Sequence, residues 1–163
     1  MKFSEVLTYI KERFHTKQDE AWMFNEVNED ILNQYAYHIE AKKGALDYIK
    51  KCASENKKMA VLTSNTRALS EKVLDRLGML EYMENVYSAD ELKMSKREVD
   101  IYEYVLKDLN TTAESAIVFE DSMYAINTAR SLNIECIGLV NPNNQNVFEK
   151  NHVKTIVDFT ELC

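Results

Sequence analysis

The sequence is poor in chain breakers: 163 residues contain three glycines and one proline. Disordered and fibrous chains are rich in these residues, so their scarcity, with 45% hydrophobic and 29% charged residues, points to an element-rich globular chain with a real core. The length bounds it to one ordinary domain with at most a small helical appendage. Cysteine is also sparse. Cys52, Cys136 and Cys163 are odd in number and lack metal-ligand spacing, which reads as small apolar or surface positions in a reducing, cytoplasmic setting. Long apolar runs are missing, and the opening MKFSEVLTYIKERF carries charges every few residues, so no membrane partner and no targeting segment is expected. Positive charge is outnumbered, giving a net −7, which makes nucleic acid and anionic membrane surfaces poor partners. A phosphate would have to be held through a metal or through local cations.

What is present is mostly helix at first. Phe3, Val6, Leu7, Ile10 and Phe14 recur at helical spacing, and so do Trp22, Met23, Val27, Ile31, Leu32 and Tyr35 between about Asp19 and Tyr37. The second stripe reads as core rather than as a ligand pocket. After Gly44, helices alternate with short apolar runs. ALDYIKKCASENK leads into Lys58 to Asn65, then LSEKVLDRLGM. Val86-Tyr87-Ser88 is a weaker strand, followed by VDIYEYVLKDLN. Ala116 to Phe119 ends in Glu120-Asp121 and is followed by MYAINTARSLN. Glu135 to Val140 stops at Asn141-Pro142, and Thr155-Ile156-Val157 closes the series. Strands alternating with helices of this length predict βαβ units and a parallel sheet. The expected division is 1–40, helical, and 41–163, α/β.

Reactive groups in an open parallel sheet collect beyond the carboxyl ends of its strands. Three places qualify. Thr63-Ser64-Asn65 offers hydroxyls and backbone N–H groups to a phosphate, or a helix cap from Ser64 or Asn65. Lys96 precedes a helix, where it is either a phosphate-neutralising cation or solvated surface. Glu120-Asp121 ends an apolar strand, and two adjacent carboxylates there suit Mg²⁺, although Asp121 or Ser122 can equally cap the next helix. His15, His38 and His152 have no paired spacing and receive no role.

Taken in order, these residues resemble the motifs of the haloacid dehalogenase-like (HAD) phosphohydrolases, most closely the helical-cap members such as phosphoglycolate phosphatases and β-phosphoglucomutases. Ala60 to Asn65 looks like the second motif, Ser95-Lys96 with Asp100-Ile101-Tyr102 like the third, and Val118-Phe119-Glu120-Asp121-Ser122 like the fourth. The resemblance implies a Rossmann-type parallel sheet with helices on both faces and a partial helical cap. It implies Thr63, Lys96 and Asp121 as catalytic groups, Thr63, Ser64, Asn65 and Lys96 as phosphate ligands, and Asp121 with Glu120 at Mg²⁺. The substrate implied is a small phosphorylated metabolite.

The chain departs from the family pattern in four ways. Arg97 stands where proline is usual, and Ala125 and Asn133 stand where glycines are usual. The fourth departure is larger, because the family's first motif, a strand ending in Asp-x-Asp, occurs nowhere in the sequence. That strand supplies the aspartate nucleophile and the aspartate acid/base. It also lies centrally, between the strands ending at Thr63 and Glu120. Three outcomes follow for its slot: the flanking strands close on each other, a segment or second chain fills it, or the sequence is part of a longer protein. The last is the expectation, with this chain inactive alone and the parent a Mg²⁺-dependent phosphatase. The alternatives are a non-catalytic phosphate- or Mg²⁺-binding module and a sugar phosphomutase.

Overall fold

A computed structural model describes Lys11, Arg13 and residues 19–163, and the helix expected from Phe3 to Phe14 otherwise lies outside the described residues. The chain divides into two compact units, Met1–Ile39 and Glu40–Cys163.

In the first unit, helix α1 spans Glu20–Asn33 and continues as a π-helical turn, Gln34–His38. Asp19 starts the helix: its Oδ1 accepts from Ala21 N at 2.7 Å and Trp22 N at 3.2 Å, two N–H groups that have no helical partner. The apolar stripe is only partly used. Met23 and Ala36 are buried, whereas Trp22 and Leu32 are each 46% exposed and Val27 is also exposed. The expectation that this whole stripe is core is thereby corrected; the face that is buried is narrower than the apolar face.

The second unit alternates strand and helix as expected. Its order is α2 (Ala45–Ser54), β1 (Ala60–Thr63), α3 (Arg67–Arg76), β2 (Asn85–Ser88), α4 (Val99–Asp108), β3 (Ile117–Glu120), α5 (Met123–Ser131), β4 (Glu135–Leu139), α6 (Gln145–Lys150) and β5 (Lys154–Ile156). Helix α6 is short and goes beyond the elements expected from the sequence, because its amphipathic signal rests on Val147 and Phe148 alone. Every ladder is parallel, which is what helical crossovers produce.

The core gathers Ile101 and Tyr102 of α4, Ile126 and Ala129 of α5, Cys136 of β4 and Phe148 of α6. Gly138 is required in β4, because a Cβ there would lie 2.7 Å from the Phe148 ring. Asn133, at a position where the family has glycine, keeps a left-handed backbone with φ +62°. Gly44 precedes α2 at φ +74°, and a Cβ there would lie 2.6 Å from Thr160 N.

The strands form two sheets rather than one. β1 pairs with β2, and β3, β4 and β5 pair in that order. Among the described residues, β1 and β3 therefore each keep one edge without a ladder partner, and of the three outcomes for the slot the closing of these strands on each other does not occur. Burial follows the same division. All four β1 residues are only half-buried and Ile117 of β3 is 49% exposed, whereas Val86, Tyr87 and Ser88 of β2 and Cys136, Ile137 and Gly138 of β4 are buried. In an intact parallel sheet the central strands are the most buried. Here β1 and β3, the strands that would flank the expected central strand, are less buried than β2 and β4.

Candidate active site

The loop of residues 89–98 that follows β2 assembles most of the site. Ala89 N donates to Thr63 O at 2.8 Å, tying the end of β2 to the end of β1. The loop then turns on itself, with Met94 N on Ala89 O and Lys93 at φ +56°. Ser95 fixes the last bend, since its Oγ accepts from Arg97 N and its carbonyl from Glu98 N. Lys96 is thereby aimed at β3.

The Lys96 Nζ lies 2.5 Å from Glu120 Oε2, and both side chains are largely buried. The second oxygen of Glu120 is also engaged. Oε1 accepts from Asp121 N at 3.1 Å and from Ser122 N at 3.0 Å, so one carboxylate organises the turn from β3 into α5 and anchors the lysine. Asp121 is exposed, and its carboxylate takes one hydrogen bond, from Ser122 Oγ at 3.3 Å. Of the two acidic groups, Asp121 is the one left open to a cation.

Across from these residues, the Thr63 hydroxyl oxygen accepts from Asn65 N at 3.0 Å. This bond leaves the Thr63 hydroxyl hydrogen free to donate outward. Ser64 is exposed beside it. Neither Ser64 nor Asn65 caps α3, which corrects that reading: Thr66 Oγ1 accepts from Leu69 N at 3.4 Å, and Glu91 Oε1 accepts from Arg67 N at 2.8 Å. The loop that carries Lys96 thus also places a carboxylate at the start of α3, where a helix favours negative charge. Nor does Asp121 or Ser122 cap α5 through its side chain; Ser122 holds the cap position without a side-chain bond.

Sequence reasoning missed three contributors. Asn144 Nδ2 donates to Asp121 O at 2.9 Å and to Leu139 O at 3.0 Å, joining the end of β4 to the acidic turn. Arg97 lies over the Tyr124 ring, with its guanidinium carbon 4.1 Å from the ring centroid. Neither residue type forms a motif by spacing, and only the loop geometry brings Arg97 and Tyr124 together. Tyr102 of α4 supports the floor by donating to Ala125 O at 3.2 Å. Burial, and next the Glu120 charge, push its hydroxyl well above the usual tyrosine range.

For a metal, the donor set is small. Among the described residues, no group of three or more His, Cys, Asp or Glu is placed to hold one. Mg²⁺ does not require such a group, since it binds through one or two carboxylates together with waters and substrate phosphate. Asp121, with Glu120 adjacent, fits that habit.

The arrangement can receive a phosphate between a hydroxyl, an ammonium and an exposed carboxylate at the carboxyl ends of parallel strands. The profile of the haloacid dehalogenase-like hydrolase family matches residues 3–139. The chain belongs to that family. Among curated proteins it is similar to the phosphorylated carbohydrates phosphatase of Thermotoga maritima, with 28% identity over 82% of this chain and 62% of that protein. It is also similar to the validoxylamine A 7'-phosphate phosphatase of Streptomyces hygroscopicus, with 28% identity over 73% of this chain and 55% of that protein. The chain thus spans less than two thirds of the length of these relatives. Among solved structures, a protein described as a β-phosphoglucomutase from Thermotoga maritima superposes with TM-score 0.82 at 24% identity, covering 96% of this chain and 74% of the other. A HAD phosphatase from Thermococcus onnurineus gives TM-score 0.71 at 16% identity, covering 95% and 67%. These structural likenesses concern the fold.

Proposed function

We propose that this chain carries the phosphate- and Mg²⁺-binding half of a phosphatase acting on small phosphorylated metabolites, phosphorylated sugars among them. The observation that carries the reading is the Lys96–Glu120 pair at the end of β3, beside Asp121, on a cavity that Lys96 shares with Ser64, the residue that follows Thr63 at the end of β1. In this reading residues 1–40 are part of a helical cap.

A phosphate monoester would rest with its oxygens on the Thr63 hydroxyl, the Ser64 backbone N–H and the Lys96 ammonium. The Asn65 N–H joins them if it leaves Thr63 Oγ1. Lys96 keeps its position through Glu120, which holds the ammonium without itself needing to meet the substrate. Asp121, with Glu120 beside it, would hold Mg²⁺. That ion would offset the repulsion between Asp121 and the phosphate and polarise the phosphoryl oxygens. The chain's net −7 adds to that repulsion, which such a counter-ion would reduce as a phosphate approaches these carboxylates.

The described residues hold no carboxylate placed as nucleophile. We assign that role to a strand lying between β1 and β3, parallel to both, supplied by a further segment or by a second chain. Its carboxyl end would fall at the same edge as Thr63 and Glu120. A carboxylate there would attack phosphorus and break the bond to the ester oxygen, while a second carboxyl group gives that oxygen its proton; water then releases phosphate. The absence of Asp-x-Asp from the sequence favours a second reading, a module that binds phosphate without turning it over.

An aryl phosphate assay with Mg²⁺ tests the division of labour. The 163-residue chain is expected to show no turnover. Turnover that disappears in Asp121→Asn would overturn the claim that the attacking group comes from elsewhere.

A further inference from the structure

Beside the phosphate-binding residues lies a cavity of about 190 Å³, lined by Ser64, Asp90, Ser95, Lys96, Arg97 and Tyr124 among others. Two of these, Ser64 and Lys96, belong to the phosphate site of the proposed function. The same cavity is also lined by Arg97 and Tyr124. An ester whose phosphate sits on Lys96 and Ser64 has room for its organic part in this space.

The two cations of the cavity differ in their commitments. Lys96 is held by Glu120 at 2.5 Å. Arg97 makes no ion pair with a described residue, and its guanidinium carbon lies over the Tyr124 ring, 4.1 Å from the centroid. A ring over the guanidinium carbon engages no N–H donor at the outer edge of the group through a conventional hydrogen bond. That edge is the part that binds carboxylate or phosphate through two parallel hydrogen bonds.

We infer that Arg97, held over the Tyr124 ring, is a specificity residue that receives a second anionic group of the substrate, a carboxylate or phosphate a few atoms from the ester phosphate. This rests on the phosphate-site reading above. Asp90 lines the same cavity, so the stretch between the two anions should carry hydroxyl donors rather than further negative charge. The ligand class is thus a hydroxylated carbon chain with anions at both ends. Tyr124 acts through Arg97 as a positioning residue.

The test titrates the chain calorimetrically, in buffer containing Mg²⁺, with inorganic phosphate, glycerol 3-phosphate and 3-phosphoglycerate. The last two have similar size and differ at the far end, hydroxymethyl against carboxylate. The chain should bind 3-phosphoglycerate about fivefold more tightly than glycerol 3-phosphate, a ratio that shrinks with added salt because Arg97 is exposed. Arg97→Met should bring the ratio to about one, and Arg97→Lys should restore part of it by returning the charge. A purely structural role for Arg97 would weaken both esters alike and leave the ratio standing, which would overturn the inference. A ratio of one in the unaltered chain would overturn it too. If inorganic phosphate itself fails to bind, the phosphate-site reading falls and the inference with it; if phosphate binds and the ratio is one, only the inference falls.

Discussion

Lys96 Nζ lies 2.5 Å from Glu120 Oε2, while Glu120 Oε1 holds the N–H groups of Asp121 and Ser122. One largely buried carboxylate therefore sets both the cation and the backbone turn of the site. Removing one partner of a buried pair leaves a charge without its counterpart, which costs more than the pair itself contributes. Lys96→Met should lower stability by about 2–3 kcal/mol, less than the full penalty because two N–H donors still solvate Glu120. Lys96→Met/Glu120→Gln should lose clearly less than the sum of the single changes, read by urea unfolding in a double-mutant cycle. Additive losses would mean that the two groups are not coupled.

The open edges of β1 and β3 should be visible in amide hydrogen exchange. In a parallel ladder, successive N–H groups of a strand point to opposite sides, so a strand with one partner protects only alternate amides. Residues 60–63 and 117–120 should show that alternation, whereas Ile137 and Gly138, with partners on both sides, should be protected without it. Uniform protection along β1 and β3 would show that their edges are already paired.

Alkaline pH should unfold the chain through its buried tyrosines. Burial, and next the hydrogen bond it donates to Asp108 at 2.6 Å, push the Tyr87 hydroxyl up to about 12. Burial, and next the neighbouring Cys52, push Tyr48 up to about 12 as well. The folded protein thus binds these protons more tightly than the unfolded chain, where tyrosine titrates near 10. The corresponding stability is complete below about pH 10 and is lost as pH rises towards 12. Stability measured by denaturant from about pH 9 to 12 should fall, and Tyr87→Phe should flatten part of that fall. An unchanged slope in Tyr87→Phe would show that the group does not titrate with unfolding.

Much of this architecture was legible in the sequence, and for identifiable reasons. The runs at 60–63, 117–120 and 135–139 are short and mainly apolar and sit between helical stretches, the first two carrying β-branched or aromatic residues, so they read as buried strands. Their ends also announced Thr63 and Glu120-Asp121. The helix cap was not legible, because Ser64, Asn65 and Thr66 are all good capping residues in a row and only backbone direction selects Thr66. Nor was the stripe through Trp22 and Leu32, since periodicity reports a helix and not how much of its face is covered. Arg97 on Tyr124 and Asn144 on Asp121 join residues 27 and 23 positions apart, and no local rule relates residues at that range.

The measurement that bears most directly on the central claim is the titration of inorganic phosphate into the chain with and without Mg²⁺, repeated for Asp121→Asn. The account predicts binding that requires Mg²⁺ and is lost in Asp121→Asn. Phosphate binding equally strong without Mg²⁺, or undiminished in Asp121→Asn, would contradict it.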